Sequence, residues 1–224
     1  MSRAAERGTL LSVNVGLPKP ASHGNRTVLT GIFKEPVAGP VALRRSGLAG
    51  DGQADLENHG GESKAVYAFA HECYEGWQRE LGRCDFRFGQ FGENFTLEGW
   101  RDDEVHVGDV FEVGGARVEV TQPRAPCFKL GIRMGSPSFP RRFLAECRVG
   151  FYLRVLAEDE VGAGDIFQRV AVGPERVSVR EVCRLLHFEA GNLAAIRRVL
   201  RIPALSPAWR ASFEARLARA GSLD

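Results

Sequence analysis

The feature that most constrains this chain is a change of texture near Gly173. Ahead of it, short apolar runs are cut apart by glycine and proline, and the 26 Gly and 11 Pro concentrate before residue 176. Behind it, apolar residues return at helical spacing between helix caps. Short runs broken by turn residues specify strands, because a strand needs only a few residues between turns. The helical stretch begins at Ser178, followed three residues on by Glu181, a capping-box pattern that opens a helix over 179–188. Asn192 can cap a second over 193–201, whose Leu193, Ile196 and Leu200 share a face. Ser206 and Pro207 open a third, with Trp209, Phe213 and Leu217 at spacing four and Gly221 as its end. Helices this short do not hold singly in water, so they pack on one another, on the preceding region or on a partner chain. From Val177 onward the chain carries eight Arg against four acids; a charged outer face accounts for that local +4 without nucleic acid.

In the first region, strands are expected over 10–15, 28–34, 40–45, 65–69, 94–97, 110–113, 117–122 and 151–156, with 18–25 as a polar loop. Gly114 and Gly115 lie between two of them as a tight hairpin turn. Two helices interrupt the strands. One spans 70–81, with Tyr74, Trp77 and Leu81 on one side; the other spans 138–147, with Phe139 and Phe143 four residues apart. The expected fold class is mainly β with peripheral helices, divided into a β-rich domain over 1–170 and a small helical domain over 177–220.

Composition narrows the setting. A chain of 224 residues with 44% hydrophobic and 26% charged residues buries a sizeable core, which excludes wholesale disorder. Its 30 bases and 28 acids leave +2, so no global electrostatic case for a nucleic-acid polymer exists. No apolar run reaches the length of a membrane span, and the N-terminus lacks the apolar stretch of a secretory signal. Five Cys, at 73, 84, 127, 147 and 183, include no CxxC. That odd, scattered set argues against a disulfide framework and fits a reducing cytoplasm.

Cys127 stands out among them. A strand feeds a segment stiffened by Pro123 and Pro126, and Arg124 and Lys129 place cations within three residues of the thiol. A nearby cation favours thiolate, which is both nucleophile and soft-metal ligand. A packing cysteine beside two surface bases is the competing reading. Cys73, on the expected helix, reads as packing. The loop over 50–64 holds Asp51 between Gly50 and Gly52, then His59, Gly60, Gly61 and Lys64. Exposed glycine amides can hold an anion, Lys64 adds charge, and His59 adds a proton or hydrogen bond. The pattern matches neither nucleotide-binding glycine loop, and a plain turn with a solvated lysine competes with it. Asp51, Asp55 and Glu57 lack calcium-loop spacing. Gly92, Glu93 and Asn94 can orient a polar ligand or cap their own turn. No His/Cys set has zinc spacing.

Together these segments resemble the MOSC family, the domain related to the C-terminal part of molybdenum cofactor sulfurases, and within it the YiiM-like branch. The matching segments are DGQAD over 51–55, HGG over 59–61 with KAV over 64–66, FGENFT over 91–96, EVTQPRAPCFK over 119–129, YLRV over 152–155 and GAGD over 162–165. The resemblance covers essentially the whole chain, because that branch also carries a C-terminal three-helix domain. Ser63 departs from the pattern, standing where many relatives carry an acid.

The resemblance implies a compact, barrel-like MOSC β fold, a molybdenum cofactor, and Cys127 at the family cysteine position as the metal ligand. It also implies reduction of N-hydroxylated bases, such as N-hydroxylaminopurine, to the amine. In that reading Arg124, Lys64, Gly60, Gly61, Asn94 and Lys129 hold the cofactor, while His59 and Asp51 orient groups or relay protons. N–O reduction consumes two electrons that no ordinary side-chain set supplies, so a cofactor must supply them. The sequence has no convincing flavin, nicotinamide or iron–sulfur motif. The expected partners are therefore a small N-hydroxylated substrate, a separate electron-donor protein and a molybdenum cofactor supply system; a homodimer stays open. Two other functions fit the same cysteine: a sulfur carrier using a Cys127 persulfide, and delivery or storage of the molybdenum cofactor. A structural adaptor built on the tail helices is the blandest alternative.

Overall fold

The computed structural model describes residues 7–54 and 60–221; Asp55, Glu57 and His59 lie outside the described residues. The strands are β1 (Arg7–Val15), β2 (Lys19–His23), β3 (Arg26–Thr30), β4 (Glu35–Pro36), β5 (Val41–Arg44), β6 (Gly47–Leu48) and β7 (Val66–Ala70). They continue with β8 (Phe95–Glu98), β9 (Val110–Val113), β10 (Ala116–Pro123), β11 (Phe151–Ala157), β12 (Asp159–Val161) and β13 (Ile166–Ala171). The helices are α1 (Glu72–Leu81), α2 (Phe128–Met134), α3 (Phe139–Ala145), α4 (Val179–His187), α5 (Leu193–Leu200) and α6 (Pro207–Gly221).

An eight-stranded sheet runs in the order β13-β9-β10-β11-β7-β8-β1-β4, and β13 pairs with β1 as well. That pairing closes the sheet into a barrel, which removes the open edges a flat sheet would expose. Alternation drives the closure: Val118, Val120, Leu153 and Val155 turn inward from β10 and β11 and are buried with Phe111 and Phe167. β7 and β8 pair in parallel. At the β9–β10 hairpin, Val113 faces Ala116 across two glycines. Gly114 has φ 56° there, and a Cβ would meet the Glu160 carbonyl oxygen at 2.4 Å, so only glycine fits.

The sheet departs from the sequence expectation in places with a common cause. Of residues 18–25, read as a polar loop, all but Pro18 belong to the β2–β3 hairpin. Most of its side chains are exposed, so no apolar alternation announces the strands. The strand expected over 28–34 stops at Thr30, and residues 31–34 leave the sheet. Elements without a sequence expectation include β12, β13 and α2. Ile166 and Val170 of β13 face outward, which blurs its pattern, and α2 is only seven residues long with Gly131 inside it.

Beyond β13 the caps work as the sequence predicts. Ser178 Oγ accepts from the Glu181 amide at 3.1 Å, and Glu181 Oε2 accepts from the Ser178 amide at 3.1 Å. Asn192 Oδ1 accepts from the Ala195 amide at 3.2 Å. Trp209 and Phe213 are buried and Leu217 packs beside them. The apolar faces of α4–α6 join the barrel's own cluster, so Val182, Ile196 and Phe213 share one core with Phe111 and Val155. Arginines fasten the bundle. Arg210 donates to the carbonyls of Leu200 (2.7 Å) and Ile202 (2.6 Å), and Arg216 to those of Leu185 (2.7 Å) and Leu186. These forks satisfy carbonyls that a helix end leaves open. Part of the tail's positive charge is thus internal fastening. A second apolar cluster, of Phe69, Trp77, Phe91, Phe139 and Phe143, ties α1 and α3 to β7.

Candidate functional site

The cleft begins where β10 loses register. Its pairing with β11 shifts between Val120 and Gln122, a bulge that re-aims the chain as it leaves the barrel. Thr121 in the bulge directs its hydroxyl at the carbonyls of Ser63 (2.6 Å) and Tyr152 (3.1 Å). This pins the short 3-10 turn Glu62–Lys64 against β10. Past the bulge, Pro123 and Pro126 keep the chain extended as far as Cys127, which has φ −120° and ψ 176° and precedes the first residue of α2.

An open cleft lies there. Its wall includes Lys34, Lys64, Arg124, Cys127, Lys129 and Tyr152. Of the residues predicted from sequence, the cleft thus gathers Cys127, Arg124, Lys64, Lys129 and also Asn94. Gly60 and Gly61 are not among the lining residues; Gly61 instead starts the 3-10 turn, its carbonyl accepting from the Lys64 amide at 2.9 Å. Asp51 stands behind the wall. His59 falls outside the described residues.

Lys34, Asp51 and Asn94 form one interlocked group. Asp51 Oδ1 pairs with Lys34 Nζ and accepts from the Gly16 amide at 2.9 Å, while Oδ2 accepts from Asn94 Nδ2 at 2.9 Å. Asn94 gives its second amide hydrogen to the Asn14 carbonyl (3.2 Å) and takes the Tyr67 amide on its oxygen (3.1 Å). Both donors of Asn94 are therefore engaged within the protein. Burial lowers the Lys34 pKa, against the pull of Asp51. Glu93, next to Asn94, is wholly buried and accepts from the Gly89 and Phe91 amides (2.9 and 3.0 Å), the Thr96 hydroxyl (3.0 Å) and the Tyr74 hydroxyl. Burial raises its pKa. Its role is to hold the Gly89–Thr96 turn.

Arg124 is built differently. It is 4% exposed, yet no carboxylate of the described residues pairs with it. Its guanidinium lies over the rings of Tyr67 (4.7 Å) and Phe143 (5.6 Å) and donates to the Tyr67 hydroxyl at 3.4 Å. Burial works against its charge, but Tyr67, Tyr152 and Cys127 outweigh it and hold the pKa above the ordinary value. Burial likewise raises the pKa of the Tyr67 and Tyr152 phenols, against the pull of Arg124, so both stay protonated at neutral pH.

The cysteines divide as expected in one respect. Cys73 is buried, and burial pushes its thiol up to about 12, the setting of a packing residue. Cys127 is half-buried on the cleft wall. Among the described residues no group of three or more His, Cys, Asp or Glu is arranged to hold a metal ion. Sequence reasoning did not single out Lys34 or Tyr67. One signal was available: the chain has four lysines, and Lys34, Lys64 and Lys129 all line this cleft.

A closed β-barrel with a cationic, thiol-bearing cleft and a C-terminal helical bundle is the class that this geometry defines. The sequence pattern of the MOSC domain matches residues 55–168, and that of the YiiM-like, 3-alpha helix domain matches residues 177–220. The chain belongs to the MOSC domain family, with the YiiM-like three-helix appendage. It is 40% identical to protein YflK of Bacillus subtilis over 208 residues, 93% of this chain and 94% of that one. The crystal structure of YiiM from Geobacillus stearothermophilus superposes with a TM-score of 0.80 at 36% identity, covering 94% of this chain and 99% of the other. A Gibberella moniliformis protein named "Reductase" is 29% identical over 199 residues, 88% of this chain but only 35% of that longer protein. No helix among the described residues is long and apolar enough to cross a membrane.

Proposed function

We propose that this chain is a molybdenum-cofactor-dependent oxidoreductase that reduces N-hydroxylated bases or related compounds to amines, with Cys127 as the protein ligand to the metal. The observation that carries the reading is the buried Arg124 guanidinium, which faces the same cleft as Cys127 without a carboxylate partner among the described residues. The cleft keeps this guanidinium charged without a carboxylate beside it, so an anion from outside the chain is a natural counterpart. The donor set fits the cofactor: a thiol suits a soft metal, and Arg124, Lys64 and Lys129 suit phosphate and the polar pterin edge. Membership of the MOSC family and the relative named "Reductase" support a redox role.

When bound, the cofactor supplies the two-electron couple that N–O reduction requires. The chain's own residues do the rest. Cys127 anchors the metal, Arg124 and Lys129 hold negative charge, and the 3-10 turn headed by Gly60 and Gly61 presents Lys64. Tyr152 Oη holds a proton at the cleft wall. Asp51 acts through Lys34 Nζ, which it fixes beside Asn94; His59 keeps its expected part in proton transfer. A separate electron-donor protein, a cofactor supply system and a cytoplasmic setting belong to the same proposal. So does the division into units over 1–170 and 177–220.

The test is turnover. Protein purified from a cofactor-competent cell, given an artificial reductant, should convert N-hydroxylaminopurine to adenine. Failure of the cofactor-loaded, reducible protein to do so contradicts the substrate class. Persulfide on Cys127 that passes to an acceptor would then favour sulfur carriage.

A further inference from the structure

Asp102 lies in the connection between β8 and β9, 2% exposed. Its Oδ1 accepts from two successive amides, Val149 at 2.9 Å and Gly150 at 2.7 Å. Its Oδ2 is buried and has no hydrogen-bond partner among the described residues. A half-satisfied buried carboxylate is an expensive way to hold two amides, which calls for a reason beyond packing.

That reason lies in the carbonyls of the same two residues. The Val149 carbonyl accepts from the Tyr67 hydroxyl at 2.7 Å, and the Gly150 carbonyl accepts from the Arg124 amide at 3.0 Å. The Tyr67 hydroxyl in turn receives the Arg124 guanidinium at 3.4 Å. Arg124 is thus tied at backbone and head group to the carbonyls of a two-residue strap whose amides are gripped by Asp102. The strap has little freedom of its own. Gly150 has φ 73°, and a Cβ on it would meet the Ala68 carbonyl oxygen at 2.3 Å.

We propose that Asp102 is a positioning residue of the cleft, which sets the Arg124 guanidinium through the Val149–Gly150 segment and so governs how the cleft holds an anion. The inference rests on the reading of Arg124 as an anion-holding group. Burial raises the Asp102 pKa to about 6, against the two strap amides. The titratable groups around it are Asp103 beside it, Tyr67 on β7, Cys73 on α1, Cys147 ahead of β11 and Cys183 on α4. Protonation of Asp102 removes the charge that strengthens its grip, so the strap should loosen as pH falls through about 6.

The experiment uses the full chain as wild type, Asp102→Asn, Asp102→Leu and Arg124→Gln. Amide hydrogen exchange is read at Val149, Gly150 and Arg124, and inorganic pyrophosphate is titrated calorimetrically from pH 5 to 8. Thermal unfolding establishes that each variant is folded. In Asp102→Leu, protection of the Arg124 amide should fall at least about tenfold and pyrophosphate should bind more weakly. Asp102→Asn should recover most of both and lose the pH dependence near 6. If Asp102→Leu does not fold, the comparison of wild type with Asp102→Asn across that range decides. Unchanged Arg124 protection in folded Asp102→Leu, or the same pH profile in Asp102→Asn as in wild type, overturns the proposal. Should Arg124→Gln bind pyrophosphate as wild type does while Asp102→Leu still loosens the Arg124 amide, the anion-holding reading of Arg124 fails and the positioning by Asp102 stands.

Discussion

The two sides of the cleft treat positive charge in opposite ways. On one side Lys34 is paired with Asp51, which is itself held by Gly16 and Asn94, so the cation is consumed in fixing three separate stretches of chain. On the other, Arg124 rests on aromatic rings and a phenol, and neither it nor Lys129 pairs with a carboxylate among the described residues. A cation neutralised by its own chain stabilises the fold; a cation left with aromatic neighbours keeps its field for a ligand. The contrast separates residues that build the cleft from residues that use it.

The contrast can be broken most severely at Asp51. Asp51→Ala leaves Lys34 buried without its partner and should cost about 3–5 kcal/mol in denaturant unfolding. A change near zero would mean that the Lys34 side carries no structural weight. The second largest effect concerns pH. Asp102 has its folded pKa raised from 3.8 to about 6 by burial, so the native chain binds that proton more tightly than the unfolded one. Its contribution to stability is fully present below about pH 4 and is lost as pH rises through about 6, a difference on the order of 3 kcal/mol. The stability gap between wild type and Asp102→Asn, followed from pH 4 to 7, should shift by that order; a constant gap contradicts the shifted pKa. The smallest effect belongs to the other side. Lys129→Gln should change stability by less than about 0.5 kcal/mol while weakening pyrophosphate binding roughly two- to fivefold. A large stability loss there would erase the distinction between the two sides.

Local patterns were legible in the sequence and long-range pairings were not. The Ser178–Glu181 box, the Asn192 cap and the Trp209–Phe213 face could be read because each depends on neighbours within four residues. β13 could not, because it owes its place to closing the barrel against β1 and keeps Ile166 and Val170 exposed. In the cleft, Cys127, Arg124 and Lys129 were legible as one stretch. Lys34 reaches it from the segment after β3 and Tyr67 from β7, both far away in the chain, and Asp102 acts on it through a backbone strap that no motif records. The scarcity of lysine was a usable sign: in a chain that otherwise relies on arginine, three of its four lysines meet in one cleft.

The central claim is that Cys127 holds the metal of a molybdenum cofactor seated among these cations. Its most direct test is the molybdenum and pterin content of wild type, Cys127→Ser and Cys73→Ser, all purified folded from the same cofactor-competent cell. Serine is a harder and usually protonated ligand, so the account predicts near one equivalent of molybdenum in wild type and in Cys73→Ser, and loss of most of it in Cys127→Ser. Full molybdenum in folded Cys127→Ser, or none in any of the three even after reconstitution, would contradict it.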